Sequence, residues 1–252
     1  AVDIAKESAD LILLEKDLGI LEKGVINGRE IFGNIMKYIT ITVSSNFGNI
    51  FSVLLASIFL PFLPMQPMQL LFLNLIYDIS CLSIPFDKMD PKYLRNPQKL
   101  NSDEVRRFML WFGPISSIFD ILTFFALYII IIPKFLGSGY RSLTGDEQLI
   151  FISIFHTGWY LVSLWTQTLV LYTLRTKKIP FLQSKPSLPM FLVTGCTVAV
   201  GTIIPYTKLG VALDFISMPV DFWFYLLTVV FLYLSITTIV KNIYIRKYGK
   251  LL

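Results

Sequence analysis

An amide and a carboxylate lie four residues apart in the apolar stretch NLIYDIS, at Asn74 and Asp78. The flanking segments, PFLPMQPMQLLFL before it and CLSIPF after it, carry no charge. An ionised acid near a bilayer centre costs about 2.5–3.5 kcal/mol on insertion scales, so such residues generally face a bundle interior and mark an ion or proton path. Residues four apart share one face of a helix. We therefore interpret Asn74 and Asp78 as part of an ion path.

A second polar pair precedes the first, in SSNFGNI, where Asn46 and Asn49 are three residues apart. Small neighbours at Ser45 and Gly48 keep this helix thin enough for a close partner. The short connection PFLPMQP predicts a tight antiparallel pair of helices, in which the two amides meet the amide and carboxylate of the next helix. Lone amides in membrane helices also serve simply to join helices by hydrogen bonds, and this alternative stays open for Asn46.

Oxygen ligands of this kind suit a hard cation such as Mg²⁺ or Ca²⁺. The predicted metal ligands are Asn46, Asn49, Asn74 and Asp78, with Asp120 in WFGPISSIFDILTFF as a further candidate. Asp120 could equally be a hydrogen-bonded structural acid or a proton carrier. We expect Pro114 to kink the helix shortly before it. His156 and Gln167 are interpreted as packed, hydrogen-bonded side chains rather than ligands.

The composition indicates a membrane protein. Of 252 residues, 54% are hydrophobic and 15% charged, and the mean hydropathy is +0.65. A soluble domain would carry about a quarter charged residues. Apolar runs long enough to cross a bilayer recur along the chain, which argues against a soluble helical protein. The predicted spans are approximately 38–60, 67–86, 108–132, 149–173, 189–205 and 221–240.

Basic residues are distributed unequally between the two sides of these spans. Fourteen lie in the 87–107 and 174–188 connectors and in the C-terminal tail, whereas three lie in the connectors of the opposite side. The positive-inside rule therefore predicts that the N-terminal segment, both basic connectors and the C-terminus are cytoplasmic. This bias explains the pI of about 9.1, so the lipid bilayer is an expected partner and nucleic acid is not.

The N-terminal stretch has the pattern of a soluble segment, because residues 1–30 hold seven acidic and four basic residues. AVDIAKESA predicts a short helix, Leu11 to Leu14 a strand, and the chain from Leu18 a long helix. One strand and two helices cannot form a core, and a lone strand leaves both edges unpaired. We therefore interpret this stretch as the end of a larger α/β domain. Cys81 and Cys196 suggest neither a disulfide framework nor a metal site.

Three segments, in order, carry a family resemblance: ESADLILLEKDLGILEKGVINGREIFGNIMKYI, SSNFGNI and MQLLFLNLIYDIS. They resemble the end of the phosphorylation domain and the start of the membrane bundle of P-type ATPases. Two later segments, FGPISSIFDILTF and HTGWYLVSLWTQTLVLYTLRTKKIPFLQS, are similar to the magnesium-transporting branch of the bacterial enzymes. The resemblance covers essentially the whole chain.

The resemblance implies an all-α membrane domain whose six helices equal helices five to ten of a ten-helix pump. Residues 1–34 would be a short α/β remnant of the phosphorylation domain with the stalk helix, and residues 35–252 the six-helix transmembrane domain. In that family an N-L-x-x-D arrangement on the sixth helix holds the transported cation together with polar groups on the fifth. Carried over, Asn74 and Asp78 match the sixth-helix positions, and Asn46 and Asn49 match the fifth.

The resemblance also implies which parts of a pump this sequence does not carry. The DKTGT, TGE and GDGxNDAPAL motifs of the family do not occur in it. We expect no catalytic residue in this chain, and ATP bound only by an upstream part of the same polypeptide, its partner. Mg²⁺ would be both the transported ion and the catalytic ion of the intact pump in the plasma membrane.

Two other interpretations remain open from the sequence. One is an H⁺ or Ca²⁺ pump of the same superfamily, although calcium pumps carry a glutamate at the position of Asn49 and another acid in the eighth helix. The other is of a different class: a six-span secondary transporter or non-catalytic membrane subunit. Such transporters commonly contain an internal repeat, and no such self-similarity is evident here.

Overall fold

The computed structural model describes residues 3–10, 12–14, 17–87 and 89–251, and over these residues its regular secondary structure is helical, with no β-strand. The α-helices, in chain order, are α1 (Asp3–Glu7), α2 (Leu18–Phe59), α3 (Pro67–Cys81), α4 (Pro91–Leu94), α5 (Ser102–Phe125), α6 (Ile132–Leu136), α7 (Asp146–Leu174), α8 (Leu188–Ile203), α9 (Lys208–Ala212) and α10 (Val220–Tyr248). Short 3₁₀ turns occupy Ile84–Phe86, Tyr140–Ser142 and Ile204–Tyr206, and a π-helical turn occupies Ala126–Ile131.

Six helical stretches are long and apolar enough to cross a membrane, by length and composition. They are Gly19–Phe59, Pro67–Phe86, Ser102–Leu136, Asp146–Leu174, Leu188–Tyr206 and Val220–Tyr248. Each contains or overlaps one of the six predicted spans, so the prediction of an all-helical, six-span chain is confirmed. The third stretch runs through Pro114 without interruption and departs from α geometry only at the later π-helical turn.

The N-terminal segment differs from the prediction at one point. Helix α1 forms, but residues 12–14 adopt no strand, and Leu11 lies outside the described residues. A strand is stabilised by pairing with a neighbour, and the described chain offers none. Leu14 is consequently 97% exposed, as expected of an apolar side chain with nothing to pack against.

Helix α2 is a single helix of 42 residues, which corresponds to about 63 Å at 1.5 Å per residue. It begins where the side chain of Asp17 accepts a hydrogen bond from the Gly19 amide at 2.8 Å, a typical N-cap. It ends just before Pro61. The helix therefore connects the polar N-terminal segment to the interior of the bundle without a break.

The packing of α2 corrects a second expectation. Helix α2 packs along α5 and makes few direct contacts with α3, its neighbour in sequence. A Cβ added at Gly48 would lie 3.1 Å from Ser116 Cβ and 3.2 Å from the Gly113 carbonyl, and one added at Gly113 would lie 2.6 Å from the Phe47 ring. The two glycines let the backbones of α2 and α5 approach each other closely, whereas α2 and α3 make few direct contacts. The predicted tight pair of the first two spans is therefore wrong.

Helix α7 is the central helix of the bundle. In its most apolar stretch of 18 residues, 72% of the residues are buried inside the protein, against 28–50% in the corresponding stretches of the other five spans.

Both basic connectors lie at one end of the bundle, here called the basic side, where Arg175 contacts Asp87 and Lys241 donates to the Thr176 carbonyl. At the opposite side, Gln69 donates to the Leu213 carbonyl at 2.7 Å. Large apolar side chains on the outer surface are exposed, as in Phe231 at 71%, which suits a lipid-facing surface.

Candidate cation site

Asp78 and Asn74 lie on α3, and Asp78 lines a groove that separates α3 from α2. The groove has a volume of about 600 Å³, and its lining includes Asp78 from α3 and Glu30 and Asn34 from α2. Asp78 is exposed and Asn74 half-buried. The Asn74 Oδ1 atom is buried and has no hydrogen-bond partner among the described residues. Asp78 thus borders the open space with its carboxylate, and one turn earlier on the same helix Asn74 holds a buried oxygen that no hydrogen bond uses; a hard cation binds oxygens of both kinds.

The two asparagines of α2 occupy different environments. Asn46 is exposed, whereas Asn49 is 2% exposed. Asn49 Oδ1 accepts a hydrogen bond from Gln167 Nε2 of α7 at 2.6 Å, and Asn49 Nδ2 has no partner within the described chain. No hydrogen bond joins Asn49 to Asn74 or Asp78 among the residues that the structure describes. The predicted ligands of α2 and α3 are therefore not joined by hydrogen bonds, and their convergence on one cation stays a prediction.

Asp120 belongs to a separate buried polar cluster. Its side chain is 3% exposed, with Oδ2 at 2.6 Å from Ser52 Oγ and Oδ1 accepting from Trp159 Nε1 at 2.9 Å. Ser52 Oγ also lies 2.8 Å from the Gly48 carbonyl, and a hydroxyl has one hydrogen to share between these two acceptors. Both oxygens of Asp120 therefore contact neutral donors from α2 and α7, and no basic side chain forms an ion pair with it in the described part of the chain.

The donor set is poor in charge. The described residues contain no group of three or more His, Cys, Asp and Glu side chains that could hold a metal ion. The carboxylates of Asp78 and Glu30 line the groove, which is a sparse set for Ca²⁺, since Ca²⁺ takes six to eight oxygens, whereas Mg²⁺ commonly keeps several waters and few protein ligands. The chemistry of the groove therefore suits a hydrated hard cation better than a stripped one.

Reasoning from sequence anticipated some partners and missed others. His156 is packed and hydrogen-bonded as expected, with Nε2 2.8 Å from the Leu63 carbonyl. Gln167 is likewise hydrogen-bonded, but its partner is the candidate ligand Asn49. Ser52 and Trp159 were not singled out. Each carries a hydrogen-bond donor in an apolar span, and a buried donor requires an acceptor. The sequence therefore indicated that they have partners, but which acceptor each one meets depends on which helices are neighbours.

Comparison with known proteins gives the family. A family model described as "Cation transporting ATPase, C-terminus" matches residues 62–243. This chain belongs to the cation-transporting ATPases. Within that family it is 47% identical over 250 residues to "Magnesium-transporting ATPase, P-type 1" of Salmonella typhimurium. It is 45% identical over 249 residues to the protein of the same name in Escherichia coli strain K12.

These alignments cover 99% of the chain but 26% of each magnesium-transporting relative, so the chain spans about a quarter of their length. More distant members of the family are also similar: "Calcium-transporting ATPase 1" of Bacillus cereus is 30% identical over 58% of the chain. The chain is therefore the C-terminal membrane part of a cation-transporting ATPase, and its six spans make it a multi-pass membrane protein.

Proposed function

We propose that this chain is the membrane half of an ATP-driven primary pump that moves Mg²⁺ across the plasma membrane. The observation that carries this proposal is the identity of 47% and 45% over 99% of the chain with two relatives named as magnesium-transporting. The calcium-transporting relative is 30% identical over 58%, so similarity favours Mg²⁺ over Ca²⁺. Membership of the ATPase family also argues against a secondary transporter or a non-catalytic subunit.

The proposed site lies between α2 and α3, next to the groove that Asp78 lines. Asp78 would supply the charge and Asn74 a neutral oxygen, with Asn46 and Asn49 contributing from α2. The orphaned Asn74 oxygen supports this assignment, because a buried unpaired acceptor is costly unless a ligand uses it. The exposure of Asp78 and Asn46 supports a site that is completed by waters and by an upstream part of the same polypeptide. Asp120, in its own buried cluster, would act beside this site as a further acidic group.

ATP binding and phosphorylation belong, in this proposal, to the upstream part of the polypeptide, together with the catalytic Mg²⁺. Residues 1–34 would be the end of the phosphorylation domain and the stalk, and residues 35–252 the transmembrane domain. The unbroken helix α2 would transmit movement from one to the other. We accordingly expect the 252-residue chain alone, inserted in lipid, to hydrolyse no ATP above background, which a phosphate-release assay measures; clear hydrolysis would contradict this division of labour.

The orientation follows from the basic side. Both basic connectors lie there together with the end of α10, and the positive-inside rule assigns that side to the cytoplasm. Labelling of single cysteines introduced at Lys99 and Lys208 in intact cells would test this. We expect a membrane-impermeant reagent to react at position 208 only, and the reverse pattern would contradict the orientation.

The test of the transported ion uses the full-length protein in proteoliposomes. We expect ATP-dependent movement of Mg²⁺ that Asp78→Asn reduces at least about tenfold, because the variant removes the exposed carboxylate of the site. The matched control is Asp221→Asn, an exposed acid paired with Lys134 at 2.5 Å on the opposite side. ATP-driven flux of Ca²⁺ or H⁺ without flux of Mg²⁺ would show that the pump transports that ion instead of Mg²⁺. Full Mg²⁺ transport by Asp78→Asn would show that Asp78 does not belong to the cation site.

A further inference from the structure

Three buried charges and an amide meet at the basic side, in what we call the Asp87 junction: Asn34, Lys37, Asp87 and Arg175. Asp87 Oδ2 accepts from Lys37 Nζ of α2 at 3.1 Å, and Asp87 Oδ1 accepts from a terminal nitrogen of Arg175 at 2.8 Å. The Asn34 amide of α2 donates to the Asp87 carbonyl at 3.3 Å and to the Pro85 carbonyl at 3.2 Å. The segment after α3 is thus joined to α2 by three hydrogen bonds and to the end of α7 by one.

The junction is shielded from solvent, so its buried charges must stay in contact with their partners. The three charged side chains are 2–3% exposed. Desolvated charges are tolerated only with well-formed partners, and each oxygen of Asp87 has one. Arg175 is held in turn by the Ser184 carbonyl, to which it donates at 2.5 Å. A shift of α2 relative to the end of α3 would leave a buried charge without its partner.

The junction matters because α2 and α3 are otherwise poorly connected. Between them lies the groove of about 600 Å³ that contains Asp78, and their direct packing is sparse. They are joined covalently by residues 60–66 on the side opposite the basic side, and by the Asp87 junction on the basic side, where Asn34 and Pro85 line the groove. The width of the groove at Asp78 is therefore set largely by how Lys37 and Asn34 hold Asp87.

We propose that Lys37 and Asp87 are positioning residues for the cation site between α2 and α3. This inference rests on the proposed function. Lys37 lies twelve residues before Asn49 on the same helix, about 18 Å along its axis, and Asp87 follows Asp78 by nine residues. In this proposal neither side chain contacts the ion. Their contact fixes the relative placement of the two helices that carry the proposed ligands.

Arg175 provides a matched control for this role. Lys37→Met and Arg175→Met each remove one cationic partner of the same carboxylate and leave the other. In Lys37→Met the remaining ion pair ties Asp87 to α7, and the ion pair to α2 is lost. In Arg175→Met the remaining pair still ties Asp87 to α2. Each variant therefore removes one buried cation, and the two differ in whether the ion pair between α2 and Asp87 survives; the hydrogen bonds from Asn34 to the Pro85 and Asp87 carbonyls remain in both.

The experiment measures equilibrium Mg²⁺ binding to the purified full-length protein without nucleotide, with Asp78→Asn defining the binding that belongs to the membrane site. We expect the apparent Kd for that component to weaken about fivefold in Lys37→Met, a typical size for coupling between distant groups. Lys37→Arg, which keeps the charge, should restore most of the affinity. In Arg175→Met we expect a change of less than about twofold, which is below the usual range of such coupling.

The thermal unfolding midpoint, recorded for the same samples, separates positioning from stability, because both variants should lower it. Equal Kd values in Lys37→Met and Arg175→Met, or an unchanged Kd in Lys37→Met, would overturn the inference. If Lys37→Met fails to fold, Asp87→Glu lengthens the connection by one methylene and should also alter the Kd; an unaltered Kd there would overturn it as well. Failure of the proposed function is distinct, because the wild type would then show no Mg²⁺ binding sensitive to Asp78→Asn.

Discussion

Asn49 of α2 and Gln167 of α7 form a buried hydrogen bond of 2.6 Å between residues 118 apart in sequence. Each side chain is no more than 4% exposed, and each retains one buried polar atom with no partner in the described chain, Nδ2 of Asn49 and Oε1 of Gln167. The candidate ligand on α2 is therefore oriented by the central helix of the bundle. The unpaired Nδ2 of Asn49 can still donate a hydrogen bond to another acceptor.

This pair gives the first prediction, for Gln167→Leu. The variant keeps the approximate volume but leaves Asn49 without a partner, and an unsatisfied buried polar group costs about 1–3 kcal/mol. We expect a lower thermal unfolding midpoint in detergent. The control is Gln98→Leu, at an exposed position, which should leave the midpoint unchanged; equal effects of the two variants would show that the hydrogen bond contributes nothing.

The second prediction concerns the cluster around Asp120. Trp159→Phe removes the indole donor to Asp120 Oδ1 and should destabilise the protein by about 1.5–3 kcal/mol, the range for hydrogen bonds to charged groups. Asp120→Asn should alter the same interaction, so the double variant is expected to lose less than the sum of the single variants. A double-mutant cycle by thermal unfolding measures this coupling, and strict additivity would contradict it.

The third prediction compares two glycines in membrane helices. Gly48→Leu places side-chain atoms against the backbone of α5, where even a Cβ would lie 3.2 Å from the Gly113 carbonyl. We expect a destabilisation of about 1–3 kcal/mol from overpacking. Gly195→Leu is the matched control, because a Cβ there meets nothing within 4 Å, and it should be neutral or stabilising. Similar behaviour of both variants would argue against the close α2–α5 contact.

Much of the fold was predictable because it depends on local properties of the chain. The six spans follow from runs of apolar residues matched to the thickness of a bilayer, and the long helix α2 follows from apolar residues at helical spacing after Leu18 and the absence of proline before Pro61. The strand expected at Leu11 to Leu14 did not form over residues 12–14. An apolar run has no regular structure of its own without a neighbour to pair with.

The candidate site was predictable in its residue types and less so in its geometry. The cost of an acid in an apolar helix singled out Asp78 and Asp120. Spacing placed Asn46 beside Asn49, yet one is exposed and the other buried, because burial depends on which side chains a neighbouring helix covers, and Gln167 of α7 contacts Asn49. The Asp87 junction was not anticipated, since Lys37, Asp87 and Arg175 lie in three distant segments and each has the appearance of an ordinary charge near a membrane surface.

The number of membrane spans, the basic side, the family resemblance and the polar residues in the apolar helices can all be read from the sequence. These properties depend on composition and on spacing within one segment. Three contacts became evident only in the folded chain: α2 packs on α5, Asn49 pairs with Gln167, and Asp87 joins α2 to the segment after α3. Such contacts are chosen by complementary shape and by the pairing of buried polar groups, and both require every helix to be in place at once.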